Sequence, residues 1–249
     1  MKYQDKYLNA VAEVAAFLDG NRAAIDAAAE AIATALAGGN AVWVSEVGHA
    51  NQHDWVQRAG GIAAIRHFRF NVGVTDELPK KLMNRPRDAG DEAMDVGFEN
   101  IRHAVRVSQM RGGDILMLGS VSGRSKNQVE LALACQAKGV KVIGFTSLVY
   151  SKGVPSQHPS GKSLKDACDF VIDINAPYGD AAVQIKGYET ALLPVSGVGA
   201  LMAGWMIFEK ALEIMAERNT PPAVFISYNR AGGETALEDT KRLCDERGY

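Results

Sequence analysis

The chain has 249 residues, of which 47% are hydrophobic and 22% charged, the balance of a globular chain that buries a real core. Its net charge of -2, with acids and bases interleaved, excludes a basic face for nucleic acid or for a membrane surface. No apolar run reaches the length of a membrane span, the N-terminus lacks the residue order of a signal peptide, and Cys135, Cys168 and Cys244 are far apart and odd in number. A cytoplasmic protein is expected, without disulfides and with neither a nucleic-acid nor a membrane partner.

In chain order, Leu8, Val11, Val14 and Leu18 recur at helical spacing; Gly20-Asn21 interrupts, and Ile25, Ala28, Ala29, Ile32 and Leu36 resume it. "GGN" at 38–40 ends the second helix. "AVWVSE" (41–46) predicts a strand, 51–59 a helix and "GIAAIRHF" (61–68) a second strand. After a loop-like stretch, 88–110 predicts a long helix, "DILMLG" a strand, 127–138 a helix and "VKVIGFTS" a strand. "DFVIDI" (169–174) predicts another strand, 197–217 a helix and "AVFISY" (223–228) a last strand. Strands alternating with helices imply a parallel sheet covered on both faces. With no internal repeat or linker, one domain over 1–249 is expected: a helical segment at 1–38 packed on an α/β core at 39–249.

Between the third strand and its helix lies "GSVSGRSKN" (119–127). In such a sheet ligands bind beyond the carboxyl ends of the strands. The first turn of a helix there offers unpaired N–H groups and partial positive charge to an anion. Ser120, Ser122 and Ser125 add hydroxyl donors, Gly123 allows close backbone approach, and Arg124 can pair with the anion or point to solvent. The composition suits a phosphate or sulfonate; the alternative is a polar turn that only caps a helix. No dinucleotide or triphosphate motif follows any strand, so no cofactor is expected.

"GSVSGRSKNQVELALACQAKGVKVIGFTS" resembles the serine motif and following helix and strand of the sugar isomerase, or SIS, superfamily. The resemblance extends through "VWVSEVGHANQHDWVQRAGG", "ACDFVIDINAPYGDA" and "PVSGVGALMAGWMIFEKALEIMAERNTPPAVFISYN", and is to the free-standing branch related to phosphoheptose isomerase. It implies a three-layer α-β-α sandwich with a five-stranded parallel sheet, homodimers or homotetramers, and a sugar whose anionic end is held by the serine loop. The implied anion-binding positions are Ser120, Ser122 and Ser125, with Thr146 or Ser147 at the end of the next strand.

Aldose–ketose isomerisation needs a base that moves a proton between adjacent carbons, and groups that shuttle hydroxyl protons. The family's glutamate, four residues before an arginine, maps to Asp54 when that arginine is matched to Arg58. The family's histidine on the last long helix has no counterpart in 197–217. Candidates for its role are His49, just after Gly48 in the first strand-to-helix loop, His53, and His158 in a loop that could fold over the sugar. Glu189 is a further carboxylate candidate, while His67 and His103 read as structural. His49 and His53 have the i, i+4 spacing of a metal pair, but no third ligand stands out, so no metal is expected. Glu46 ends the first strand near the pocket and could bind sugar hydroxyls or pair with Arg58 or Arg66.

The leading expectation is an isomerase acting through an enediol on a sugar phosphate or a sulfosugar such as sulfoquinovose. The alternatives are a lyase or etherase for phosphosugars, since "SGRS" is close to the S-G-R-T of the etherases, and a non-catalytic phosphosugar sensor. Residues 1–40 are too short and too acidic for the DNA-binding domain that precedes such sensors in transcription regulators. In the family, pockets often borrow residues across the dimer interface.

Overall fold

Five short apolar runs, Val42–Ser45 (β1), Ile65–Phe68 (β2), Ile115–Gly119 (β3), Lys141–Thr146 (β4) and Phe170–Asp173 (β5), pair into one all-parallel sheet ordered β2-β1-β3-β4-β5. The computed structural model describes residues 3–48, 52–73, 77–84 and 96–249. The central strand β3 is buried at every position, which its unbroken apolar sequence requires under helices on both faces.

Side chains alternate between the faces, and two clusters follow from that alternation. On one face Val42, Val44, Ile115, Met117, Ile143 and Phe145 meet the N-terminal helices Tyr3–Gly20 (α1) and Arg22–Ala37 (α2) and the long helix Ser196–Glu217 (α7). On the other, Leu116, Leu118 and Val142 meet Val96–Val107 (α4) and Lys126–Ala137 (α5). The result is the expected three-layer α-β-α sandwich. Alanines at 28, 29, 33 and 35 of α2 and Ala200 and Ala203 of α7 are all buried, and these small side chains let the α2–α7 pair pack closely. A Cβ at Gly204 would lie 2.2 Å from the buried ring of Trp55, which stacks on Phe145 at 4.9 Å and anchors the segment after β1.

Some expectations need correction. The helix expected at 51–59 is the single turn Gln52–Trp55 (α3), and Gln57 adopts φ +57, which takes the chain out of helical geometry. Of the helix expected over 88–110, only Val96–Val107 is described as helical, and 85–95 lie outside the described residues. "AVFISY" is not a strand of the sheet. It runs antiparallel to residues 60–63 through one bridge, Ile62 to Val224, held by Ala63 N–H to Ala223 O (2.8 Å) and Phe225 N–H to Gly61 O (2.9 Å). Two helices, Leu148–Lys152 (α6) and Gly233–Arg247 (α8), have no counterpart in the sequence reading. Helix α8 buries only Gly233, Thr240 and Cys244, so it has too narrow an apolar stripe to announce itself. The three cysteines are free, and among the described residues no helix is long and apolar enough to cross a membrane.

Candidate active site

The strand order reverses between β1 and β3: from β1 the chain goes outward to β2, then returns to β3 on the other side. The loops leaving β1 and β3 therefore diverge and open a crevice at the carboxyl edge of the sheet, where α/β proteins bind ligands. Gly48 and Ser120–Ser125 stand on either side of it. At Gly48, φ is +110 and a Cβ would lie 2.2 Å from the carbonyl oxygen of Gly119, so only glycine lets the first loop reach the end of β3.

The serine loop is shaped by backbone bonds. Ser120 N–H donates to Phe145 O (3.0 Å), and Gly123 N–H donates to Ser120 O (3.0 Å), closing a tight turn. Gly123 sits at φ +68, and a Cβ there would press to 3.0 Å on Thr146 Oγ1. Val121 O accepts from Ser147 N–H (2.8 Å) and from the Thr146 hydroxyl (3.2 Å). Gly123 O accepts from Leu164 N–H (2.8 Å) and Arg124 O from Gln157 N–H (2.9 Å), so the strap 154–164 lies on the loop. These three loop carbonyls are thereby held by protein donors, while the first-turn N–H groups of α5 stand at its N-terminus, the end that favours an anion. Ser125 is the N-cap residue of α5, yet its hydroxyl makes no cap bond. Buried polar atoms without a protein partner cluster here: Arg124 Nε, Asn127 Oδ1 and Ser151 Oγ, the last 3.4 Å from where a Gly123 Cβ would be. Such atoms are costly unless a ligand or water completes them.

Thr146 and Ser147, expected as anion ligands, are fully buried. The Ser147 hydroxyl donates to Ala176 O (2.6 Å) and accepts from Tyr150 N–H (3.2 Å), capping α6. Thr146 fastens the serine loop from behind.

The side-chain groups fall in three places. Asp54 is half exposed on α3, 4.0 Å from Arg58. Glu46 pairs neither with Arg58 nor with Arg66. Its Oε1 lies 2.5 Å from Arg69 Nε and 3.6 Å from His67 Nδ1, and the His53 ring centroid is 5.9 Å from that of His67. Parity explains the grouping: Val44 is registered with His67, so Glu46, His67 and Arg69 point from the same face of β1 and β2. Burial first, and then Arg69, hold the His67 pKa below its ordinary value. His49 lies outside the described residues.

His158 belongs to the strap over the serine loop, but its ring turns away from the crevice. Nε2 is 2.9 Å from Glu130 Oε2 on α5, Nδ1 is 2.7 Å from Ser160 Oγ, and the ring packs on Phe98 at 5.0 Å. Arg102 Nε donates to the other oxygen of Glu130 (2.6 Å). Burial works to raise the Glu130 pKa, and the bonds from Arg102 and His158 outweigh it, leaving the carboxyl below its ordinary value. His158 thus clamps the strap to α5. Glu189 is exposed in the excursion between residues 183 and 192, whose ends are joined by backbone bonds of Val183 with Leu192. Sequence reasoning missed Glu130, Arg69 and the placement of His67. The one available signal was Glu130 as a lone charge in the apolar stretch "VELALA".

Fold and site together define an α/β protein with a serine-rich loop at the switch point of a parallel sheet. The chain belongs to the SIS domain family, whose model matches residues 6–147. A UPF0309 protein of Streptomyces avermitilis is 32% identical over 230 residues, covering 90% of this chain and 87% of that relative. A UPF0309 protein of Listeria monocytogenes serotype 4b is 36% identical over 172 residues, covering 69% of this chain and 66% of its own length. The solved structure of Vibrio vulnificus NanR complexed with ManNAc-6P aligns with a TM-score of 0.45 at 14% identity over 97% of this chain and 70% of that one, too loose a likeness to inform the site.

Proposed function

We propose that the chain is an aldose–ketose isomerase for a sugar with a terminal phosphate or sulfonate. The observation that carries this reading is the serine loop: it sits at the switch point, its carbonyls are held by protein donors, and Arg124 Nε–H, without a partner, and the Ser125 hydroxyl, which makes no cap bond, stand at the start of α5. A tetrahedral anion with several oxygens suits such a set of N–H and hydroxyl donors. Membership of the SIS family supports a sugar as the remainder of the ligand.

With the anion on Ser120, Ser122 and Ser125, the carbonyl end of the sugar extends toward the segment after β1. There Asp54 takes the proton from C2 of the aldose and returns it to C1, and an imidazole of the same segment, His53 or His49, moves the proton between the two hydroxyl oxygens. The half-exposed setting of Asp54 keeps it accessible to solvent, so the abstracted proton exchanges with water.

Incubation with sugar phosphates and sulfosugars in D₂O, followed by NMR, tests this directly. Deuterium at C2 with appearance of the ketose is the expected outcome, and Asp54→Asn should lower turnover at least about a hundredfold. Binding without exchange would replace the reading by a sensor, and release of a substituent β to the carbonyl would replace it by a lyase.

A further inference from the structure

The second cluster at the carboxyl edge of the sheet has a chemistry of its own. Glu46 at the end of β1, His53 on α3 and His67 on β2 each offer a ligating atom, and the three atoms all lie within 4.8 Å of one another. They come from three separate elements and converge on one side of the edge pair. A pair at helical spacing within the β1–α3 segment would not have suggested this set, because its third member sits on the neighbouring strand. His67 Nδ1 is buried, has no hydrogen-bond partner and lies 3.6 Å from Glu46 Oε1.

We propose that Glu46, His53 and His67 bind one zinc-class divalent cation. Bonds of about 2.1 Å in a tetrahedral shell set neighbouring ligands about 3.4 Å apart. The Glu46–His67 pair at 3.6 Å already has that spacing. His53 lies within 4.8 Å of both other ligand atoms, so it needs to close by at most about 1.4 Å to complete a shell of that size, and it is the exposed member of the three. Two imidazoles and a carboxylate are the donors that borderline ions such as Zn²⁺ prefer over Mg²⁺ or Ca²⁺. Three protein ligands leave at least one coordination position open, the pattern of sites that hold water or substrate rather than purely structural ones. Arg69 accounts for one lone pair of Glu46 Oε1, and the carboxylate retains others for a metal. In that arrangement Arg69 orients Glu46 from outside the shell, as the partners of metal-bound carboxylates do. None of the three ligands belongs to the serine loop, so loss of the cation site would leave the anion cradle intact; with His53 on the metal, the hydroxyl proton shuttle of the proposed isomerase falls to His49.

The test uses the untagged full chain, freed of metal with a chelator, titrated with Zn²⁺ against a chromophoric competitor. One Zn²⁺ per chain is expected. Glu46→Gln, His53→Ala and His67→Gln should each weaken it at least about tenfold, with His103→Ala, on α4, unchanged. Substituted Co²⁺ should show a visible ligand-field band in the parent protein that His53→Ala loses. Should the His67 variant unfold in a thermal melt, the exposed His53 variant decides the matter. The site is overturned if the parent chain takes up no Zn²⁺ in competition, or if Glu46→Gln and His53→Ala bind it as the parent does.

Discussion

The two loops that meet at the switch point are built in opposite ways. The serine loop after β3 is a backbone structure: carbonyls of Ser120, Val121, Gly123 and Arg124 each accept from a defined N–H, and Thr146, Ser147 and the 154–164 strap supply three of those donors and one hydroxyl. The segment after β1 relies on side chains: Trp55 fixes it in the core, while Asp54, His53 and Arg58 remain exposed to solvent. An anion needs fixed dipoles whatever sugar it belongs to, so a rigid backbone cradle serves it. Proton transfer depends on which side chains face the carbons, and side chains can change while the scaffold stays.

Gly48 brings the first loop against the end of β3, and breaking that close approach should have the largest effect. Gly48→Ala places a Cβ against Gly119 O at a φ that L-residues avoid. It should cost roughly 3 kcal/mol in urea unfolding, through strain and overpacking together, and abolish binding of a sugar phosphate. Gly73→Ala, with nothing within 4 Å of the added methyl, is the control and should leave both unchanged.

Next comes the anion cradle itself. Ser122→Ala combined with Ser125→Ala removes two donors of the proposed site while no cap bond is lost, because the Ser125 hydroxyl makes none. Affinity for a sugar phosphate, read by calorimetry, should fall about thirtyfold, near 2 kcal/mol, with the melting temperature nearly unchanged. A large loss of stability with unaltered affinity would reduce the serines to a turn.

This contrast also decides what the sequence could reveal. The strands and the serine loop were legible because each rests on local patterning: an apolar run ending in Gly119, then hydroxyls and Gly123, then a helix. Residues 223–228 have the same apolar look, but pair only with 60–63, a tertiary fact that no local pattern distinguishes from sheet membership. The turn at Gln57 shortened α3 although glutamine gives no warning of a positive φ. His67 read as an ordinary strand residue because its meaning depends on the β1–β2 register, which places it beside Glu46. His158 misled in the other direction: its strap lies on the serine loop, yet Glu130 on α5 turns the ring aside.

That clamp gives a further way to sharpen the comparison. His158→Ala leaves Glu130 with Arg102 alone and frees the strap that holds the Gly123 and Arg124 carbonyls. A loss of about 2 kcal/mol of stability is expected, from a hydrogen bond to a buried carboxylate. Turnover should persist at saturating substrate with a raised KM, since the ring does not face the crevice. A kcat that fell with KM unchanged would return His158 to the chemistry.

The smallest effect concerns how the strap itself is folded. Asp166 accepts from the N–H (2.9 Å) and hydroxyl (2.7 Å) of Ser163, and Lys165 lies 2.9 Å away. The Ser163 hydroxyl bond foremost, with Lys165 adding to it, lowers the Asp166 pKa from 3.8 to about 2. A carboxyl with a depressed folded-state value stabilises fully above its unfolded value, so the contribution is complete above 3.8 and fades as the pH falls toward about 2. Asp166→Asn removes that contribution. Melting temperatures of parent and variant should therefore differ by a constant, small amount above 3.8 and converge toward about 2. The difference is small because the Asp166 side chain is 43% exposed and water screens its partners. A gap that persisted undiminished to the acid end would mean that Asp166 acts through the shape of the turn and not through its charge.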